Sequence, residues 1–437
     1  MRHLLAVILA ALLTGCAGTL PQIERVPSTA LVAGPEAPLA RAARDAKIPP
    51  DESGVWPLLQ AGYALDARLA MIEHAHTSID LQYYQIADDS IGRLVLRALR
   101  NAAERGVRVR LLVDDLYTVD LDRLLLGLAA TPNIEVRLFN PFVTARQSST
   151  RRLLALALDF KRLNHRMHNK LFIADGVMAI VGGRNLADEY FLRGTLGNFI
   201  DFDVLLAGSA VPELNGWFDT YWNSTAVYPI ESIVRAAGTA PASADAARAT
   251  FDAVTGADAQ PDAPMAPDFF GAPALSTGLA NRSVQFIAAP SFTFADSPGK
   301  IDPANNSIAI DDTLTHRFLL RLGDTRREAV LFSPYFVPGK EALARIGRLR
   351  AEGVKVVVVT NSLAASDEPL VSVGLGRHQV ALLKAGVDLY ELSSDRLKLD
   401  NTLKNLLGAS TGRLHAKIAF LDRKTVMVGS MNLDPRS

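Results

Sequence analysis

His168 and Lys170 stand two residues apart, and Asp175, Gly182, Gly183 and Asn185 follow at fixed intervals in RMHNKLFIADGVMAIVGGRN. His415, Lys417, Asp422, Gly429, Ser430 and Asn432 repeat those intervals in RLHAKIAFLDRKTVMVGSMN. Both copies obey one pattern: H-x-K, four residues, D, six residues, G-[GS]-x-N. In a chain with 8 histidines, one chance match is very roughly a one-in-10⁵ event, and two are far rarer. In a strand, residues two apart face the same way, so each histidine projects beside its lysine. Leu171 and Ile173, or Ile418 and Phe420, then turn to the other face and join a core. Asp175-Gly176 is a tight-turn signal, after which a second strand returns Asn185, or Asn432, to the same end of the sheet.

Two such copies facing each other across a pseudo-twofold bring two histidines, two lysines and two asparagines into one small volume. That inventory suits a phosphodiester. One imidazole can attack phosphorus and form a covalent phosphohistidine, splitting one difficult displacement into two. The other can protonate the leaving alkoxide and then take a proton from the incoming water or alcohol. Ammonium and amide groups stabilise the charge on the equatorial oxygens, which is most of what phosphoryl transfer needs. The chemistry calls for no cofactor and no metal, HExxH is absent, and the single cysteine excludes a Cys-based metal site and an intramolecular disulfide. An aspartate at a hairpin ordinarily serves the turn, so Asp175 and Asp422 complete the catalytic pattern in a structural or supporting part. Asp114-Asp115 ends a buried strand and reads as a loop start rather than a metal site. Tyr83 and Tyr84 read equally well as core or as pocket wall.

The elements that must carry these residues alternate. Residues 64–75 read as a helix, 78–86 as a strand, 89–105 as a helix and 107–113 as a strand. The order returns later as a helix over 313–322, a strand over 329–332, a helix over 340–351 and a strand over 354–360. RNAAERGVRVRLLVDD and GRLRAEGVKVVVVTNS share a helix, a glycine, a buried strand and a polar end, which points to internal duplication. The fold class is α/β, with strands and helices alternating in sandwich layers. The chain of 437 residues is 49% hydrophobic and 21% charged, which excludes a disordered or collagen-like polypeptide. Lys+Arg and Asp+Glu balance at 46 each, which argues against a dedicated nucleic-acid binder.

Arg2, the apolar run from Leu4 to Leu13, and Thr14-Gly15-Cys16 describe a secretory signal too short to span a membrane. Residues 1–16 are therefore expected to be a leader and 17–52, rich in Pro and Ala, a flexible tether. Residues 53–228 are expected to form the first domain and 229–280 an Ala/Pro-rich linker or insertion with one short helix. Residues 281–437 are expected to form the second domain.

The duplicated motif resembles the HKD signature of the phospholipase D superfamily, over about residues 53–437 apart from the insertion. Within it the chain looks most like the cardiolipin synthase C type of bacterial phosphatidyltransferase, through RMHNK, GGRN with DEYF, DFDVLLAG, FDTYWNS, SPGK, SPYFVPG, TNSLAASD and VGSMNLDPRS. The resemblance implies two α/β/α sandwich halves related by a pseudo-twofold, with the active site at their interface. It implies His168 as nucleophile and His415 as acid and base, in an order the sequence leaves open. Lys170, Lys417, Asn185 and Asn432, with Gly183 and Ser430 of the same turns, would hold the phosphate. An acid on the strand after each motif orients a histidine in this superfamily; Asp201 or Asp203 could serve in the first half. The family continues beyond the second motif, whereas Ser437 lies five residues past Asn432, so the second half is expected to be incomplete and His415 to lack its carboxylate. Leu13-Thr14-Gly15-Cys16 resembles a lipobox, implying lipidation of Cys16, and Ala17 after it implies an outer-membrane lipoprotein facing the periplasm. The implied partners are glycerophospholipids, namely phosphatidylglycerol and a second phospholipid, and the membrane; no nucleic acid is implied, and a monomer is compatible. Three rivals remain: a phospholipase D hydrolase, a superfamily nuclease, and an inactive lipoprotein scaffold.

Overall fold

A computed structural model describes residues 20–433 apart from 144, 145, 147, 164, 257–260, 302–312, 367–368 and 394–411. Cys16 and the leader expected over 1–16 lie outside the described residues, as does Ser437. The first half comprises α1 (Pro38–Asp45), β1 (Ser53–Leu58), α2 (Ala61–His74), β2 (Ser78–Tyr83), α3 (Ser90–Glu104), β3 (Arg108–Asp114), α4 (Asp122–Ala129) and β4 (Ile134–Phe139). It continues with α5 (Ser149–Leu158), α6 (Phe160–Leu163), β5 (Leu171–Ala174), β6 (Met178–Gly182), β7 (Asn198–Ile200), β8 (Asp203–Gly208), α7 (Ala210–Trp222) and β9 (Val227–Pro229). After these come α8 (Ile230–Ala236), α9 (Ala244–Thr255), α10 (Leu275–Ala280) and β10 (Ile287–Ala289). The second half has α11 (Leu314–Gly323), β11 (Glu328–Phe332), α12 (Lys340–Ala351), β12 (Lys355–Asn361), α13 (Pro369–Lys384) and β13 (Asp388–Leu392). It ends with β14 (Gly412–Leu414), β15 (Lys417–Leu421) and β16 (Thr425–Gly429).

The duplication is visible as topology. The first sheet runs β10-β1-β8-β6-β5-β2-β3-β4-β9 and the second β13-β12-β11-β15-β16. β2, β3 and β4 are parallel, with β5 and β6 added antiparallel; β11, β12 and β13 with β15 and β16 repeat the arrangement. Parallel strands buried on both faces favour β-branched and leucine runs, which VRVRLLV and VKVVVVT supply. α3 is capped by Asp89, whose carboxylate accepts from the Gly92 amide at 2.9 Å, and it buries Ile91, Leu94, Val95 and Leu99 at helical spacing. In the first half α7 covers the opposite face of the sheet, setting Leu214, Phe218 and Trp222 against Leu171, Ile173 and Leu206. In the second half the corresponding face, with Phe332, Ile418, Phe420 and Val426, is half-buried to exposed.

Three organisational expectations are corrected. The segment expected to be a flexible tether, 17–52, is fastened to the first half from Leu20 onward. The Ser28 amide donates to Asn223 Oδ1 (3.0 Å), the Ala33 amide donates to the Asp175 carbonyl (2.8 Å), and Leu39 is fully buried. Extended Pro/Ala sequence has no periodicity, but its backbone groups still seek partners, and these lie on the domain surface. The insertion expected over 229–280 forms α8, α9 and α10 rather than one short helix. Phe251 of α9 is buried against α4, where a Cβ at Gly127 would lie 2.5 Å from the Phe251 Cβ, so glycine permits the close approach. Finally β10, assigned to 281–437, pairs antiparallel with β1 and so extends the first sheet.

Candidate active site

The second half reaches across to the first through β14, which lies parallel to β7 with Phe199 opposite Arg413 and Ile200 opposite Leu414. The register continues one step, and the amides of His415 and Ala416 both donate to the Ile200 carbonyl, at 2.8 and 3.1 Å. Asp201 follows at once, and its Oδ2 lies 2.6 Å from His415 Nδ1. The carboxylate that serves the second histidine thus comes from the first half. His415 is not left without an acid, contrary to the expectation from sequence. Asp203, the alternative candidate, is elsewhere: it is buried in ion pairs with Arg68 (2.9 Å) and Arg184 (3.2 Å).

His168 is held from the opposite direction, its Nδ1 lying 2.8 Å from the Ser430 carbonyl of the second turn. A carbonyl only accepts, so Nδ1 carries the proton and Nε2 keeps its lone pair. Tyr84 meets His168 edge-on with centroids 4.6 Å apart, which makes it pocket wall, whereas Tyr83 is core beside Arg68. His415 is flanked by Tyr190 (5.1 Å) and Phe199 (5.0 Å).

The two lysines and His415 are buried, and His168 is half-buried. Lys170 Nζ donates to the His168 carbonyl at 2.9 Å, and Lys417 Nζ donates to the His415 carbonyl at 2.5 Å. Asn185 Nδ2 donates to Tyr190 Oη at 2.8 Å, while the Oδ1 atoms of Asn185 and Asn432 are buried without a hydrogen-bond partner among the described residues. A half-turn of the Asn185 carboxamide lets the Tyr190 hydroxyl donate to Oδ1 and releases the NH2 for an anionic ligand.

Burial pushes the His168 imidazole well below its ordinary value, with Lys170, Lys417 and His415 adding to the effect. Lys170 falls through burial and through Lys417. His415 is pushed down to about 4 by burial and by Lys417, against the pull of Asp201. Burial alone would raise Asp201, but His415 and Lys417 outweigh it and keep the carboxyl ionised. Four basic side chains thus face one carboxylate, an arrangement suited to an anionic ligand.

Asp175 and Asp422 take no part in this cluster. Asp175 accepts from the amides of His76, Thr77 and Ser78, and Asp422 from those of Arg326, Arg327 and Glu328. Each lies seven positions along extended chain from its histidine, roughly 20 Å. Gly183 has a spatial role: a Cβ there would lie 2.0 Å from Asp201 Oδ1. Two further residues, not singled out as site residues in the sequence, complete the arrangement. Asp114 accepts from the Met167 amide at 2.8 Å, and Asn361 bonds the Leu414 amide (2.8 Å) and carbonyl (2.9 Å). They occupy matching positions in the repeat, at the ends of β3 and β12, and each fixes the residue before a histidine. The alignment of LLVDD with VVTNS held that signal. Asp115 is buried against Arg146 at 2.8 Å.

A family profile described as cardiolipin synthase, PLD-like domain, matches residues 69–222 and 319–437, one motif in each stretch. The chain belongs to this phospholipase D-like family. Among its relatives, cardiolipin synthase C of Escherichia coli (strain K12) is 38% identical over 390 residues, 89% of this chain and 80% of that one. Cardiolipin synthase 1 of Staphylococcus aureus (strain MRSA252) is 26% identical over 85% of this chain and 59% of its own length. The crystal structure of phosphatidylserine synthase from Haemophilus influenzae Rd KW20 shares the fold, with a TM-score of 0.53 at 14% identity over 91% of this chain and 83% of that one. Of the residues on which the phospholipase D-like site is built, Asp201 lies within the first matched stretch and Asn361 within the second.

Proposed function

We propose that the protein is a phosphatidyltransferase of the cardiolipin synthase type, joining phosphatidylglycerol to a second glycerophospholipid through a phosphohistidine. The observation that carries this reading is the crossed support of the histidines: Ser430 holds His168 as an Nδ1–H tautomer, and Asp201 holds His415. In the first step the His168 Nε2 lone pair forms the P–N bond while the P–O bond to glycerol breaks, and His415 gives its proton to the departing oxygen. The bound phosphodiester raises the His415 value from its low resting level, so the imidazolium is available when the anion is in place. In the second step a hydroxyl of the acceptor lipid loses its proton to His415 and attacks phosphorus, and the P–N bond breaks. Lys170, Lys417 and the two asparagines stabilise the phosphoryl oxygens throughout. His168, Lys170, His415 and Lys417 supply every role in this scheme, so it is proposed to run without a metal.

The test is to supply phosphatidylglycerol labelled in its glycerol backbone to the purified chain and to identify the products. Cardiolipin and free glycerol are expected, with an acid-labile phosphatidyl adduct on His168 that His168→Asn abolishes. Phosphatidic acid as the sole product would instead establish a hydrolase. For the N-terminus we propose lipidation at Cys16 and a periplasm-facing membrane location, which the mass of the mature N-terminal peptide would test.

A further inference from the structure

Residues 146–166 carry Arg146, Arg151, Arg152, Lys161, Arg162 and Arg166 against one acid, Asp159, in a chain whose formal net charge is zero. The helix of this stretch, α5 and α6 broken only at Asp159, departs from the usual arrangement of an amphipathic helix in water. Arg152 points inward and is buried, donating to the Leu116 carbonyl (3.0 Å) and to Thr118 Oγ1 (3.1 Å). Three large apolar residues point outward, Leu153 68% exposed, Leu154 56% and Phe160 58%, while Leu163 at the end of α6 is buried. Arg151 is exposed with them. A cluster of large apolar side chains held open to solvent by a buried cation marks a contact surface.

This helical segment is tied to the chemistry. Asn140 Nδ2 donates to the carbonyls of Arg162 (2.9 Å) and His165 (2.8 Å), and Arg166, two residues before His168, binds Asp114 at 3.1 Å. At the foot of α5, Tyr117 is half-exposed and stacks edge-on with Tyr84 at 5.2 Å, which in turn lies 4.6 Å from His168. A short aromatic path therefore leads to the imidazole from Tyr117, the residue after Leu116, whose carbonyl Arg152 of α5 binds.

We propose that α5–α6 is an interfacial wedge that seats Leu153, Leu154 and Phe160 in a phospholipid bilayer with anionic headgroups, so that a headgroup reaches His168 along Tyr117 and Tyr84. The inference rests on the phosphatidyltransferase reading. The bilayer is favoured over a protein partner by the exposed Arg151 beside the leucines and by the size of the patch. Three apolar side chains fall short of the roughly 800 Å² per partner that a stable protein interface buries, whereas interfacial insertion gains with each side chain seated.

The test uses the full chain as Cys16→Ala/Leu154→Cys, labelled at residue 154 with an environment-sensitive fluorophore. Vesicles of phosphatidylethanolamine and phosphatidylglycerol are expected to shift the emission to the blue, and phosphatidylcholine vesicles to shift it less. In unlabelled chain, Leu153→Ser/Phe160→Ser is expected to lower kcat/KM on vesicle phosphatidylglycerol by at least about tenfold. Turnover of a short-chain, monomerically dispersed phosphatidylglycerol should stay unchanged. Absence of a vesicle-induced shift, or an equal loss on both substrates, overturns the wedge. A blue shift that grows with protein concentration in the absence of vesicles overturns it in favour of a second copy of the chain. A vesicle-induced shift in a chain that turns over neither lipid form supports the wedge and overturns the phosphatidyltransferase reading instead.

Discussion

Asp201→Asn keeps the shape of the residue opposite His415 and removes the charge that orients and stabilises the imidazolium. It should lower kcat on the order of 10²–10⁴-fold with little change in KM, read from steady-state rates at saturating lipid. Gly183→Ala should act on the same residue indirectly, because the new Cβ occupies the position of Asp201 Oδ1; kcat should fall while the melting temperature moves by only a few degrees. Burial, Lys170 and Lys417 lower the nucleophile His168, so its neutral form persists into acid and the acid limb of kcat/KM, which His168 sets, lies well below the ordinary imidazole value. Lys417→Met removes that charge and lets both values rise. The residual activity should then lose its neutral imidazole at a higher pH, moving the acid limb up. Motif spacing pairs each His with its Lys, but it does not reveal which half supports which imidazole. Asp201 is two residues from Asp203, and sequence alone ranks them equally. The three-dimensional distinction is that β7 receives β14, which aims Asp201 at the second half, while Arg68 and Arg184 draw Asp203 inward.

At the scale of the element, the two motif aspartates act as fasteners. Asp175 is fully buried and accepts three backbone amides at the start of β2, so Asp175→Ala should cost about 2–4 kcal/mol of stability, measured by urea unfolding. The folded fraction should keep its rate within about tenfold, a split that a catalytic carboxylate would not show. Asn361→Ala should do the reverse, loosening the bonds that hold Leu414 and slowing turnover without unfolding β12. Periodicity was informative wherever a segment makes its own case. The strands around β2, β3, β11 and β12 and their helices fall within a few residues of the sequence reading. It was uninformative where partners are remote. The extended stretch after Leu20 has no repeat of its own, and α9 is anchored by Phe251 on a helix more than a hundred residues earlier.

For the whole molecule, the site exists only while the halves are docked, because the bonds of His415 and His168 both cross between them. The amides of His415 and Ala416, shared on the Ile200 carbonyl, should exchange at lower urea than the amides of β3, and activity should be lost with the former. Two-motif spacing identified the duplication, and the order of strands in the two sheets repeats it. What spacing could not show is that each half is finished chemically by the other. That crossing has a consequence for inheritance. A gene that exchanged one half with a relative would pass on a nucleophile whose tautomer is set by a foreign turn and an acid aimed at a foreign imidazole. The halves are therefore expected to be inherited as one unit, with substitutions near Asp201 compensated around His415, more than two hundred residues away in sequence and one hydrogen bond away in space.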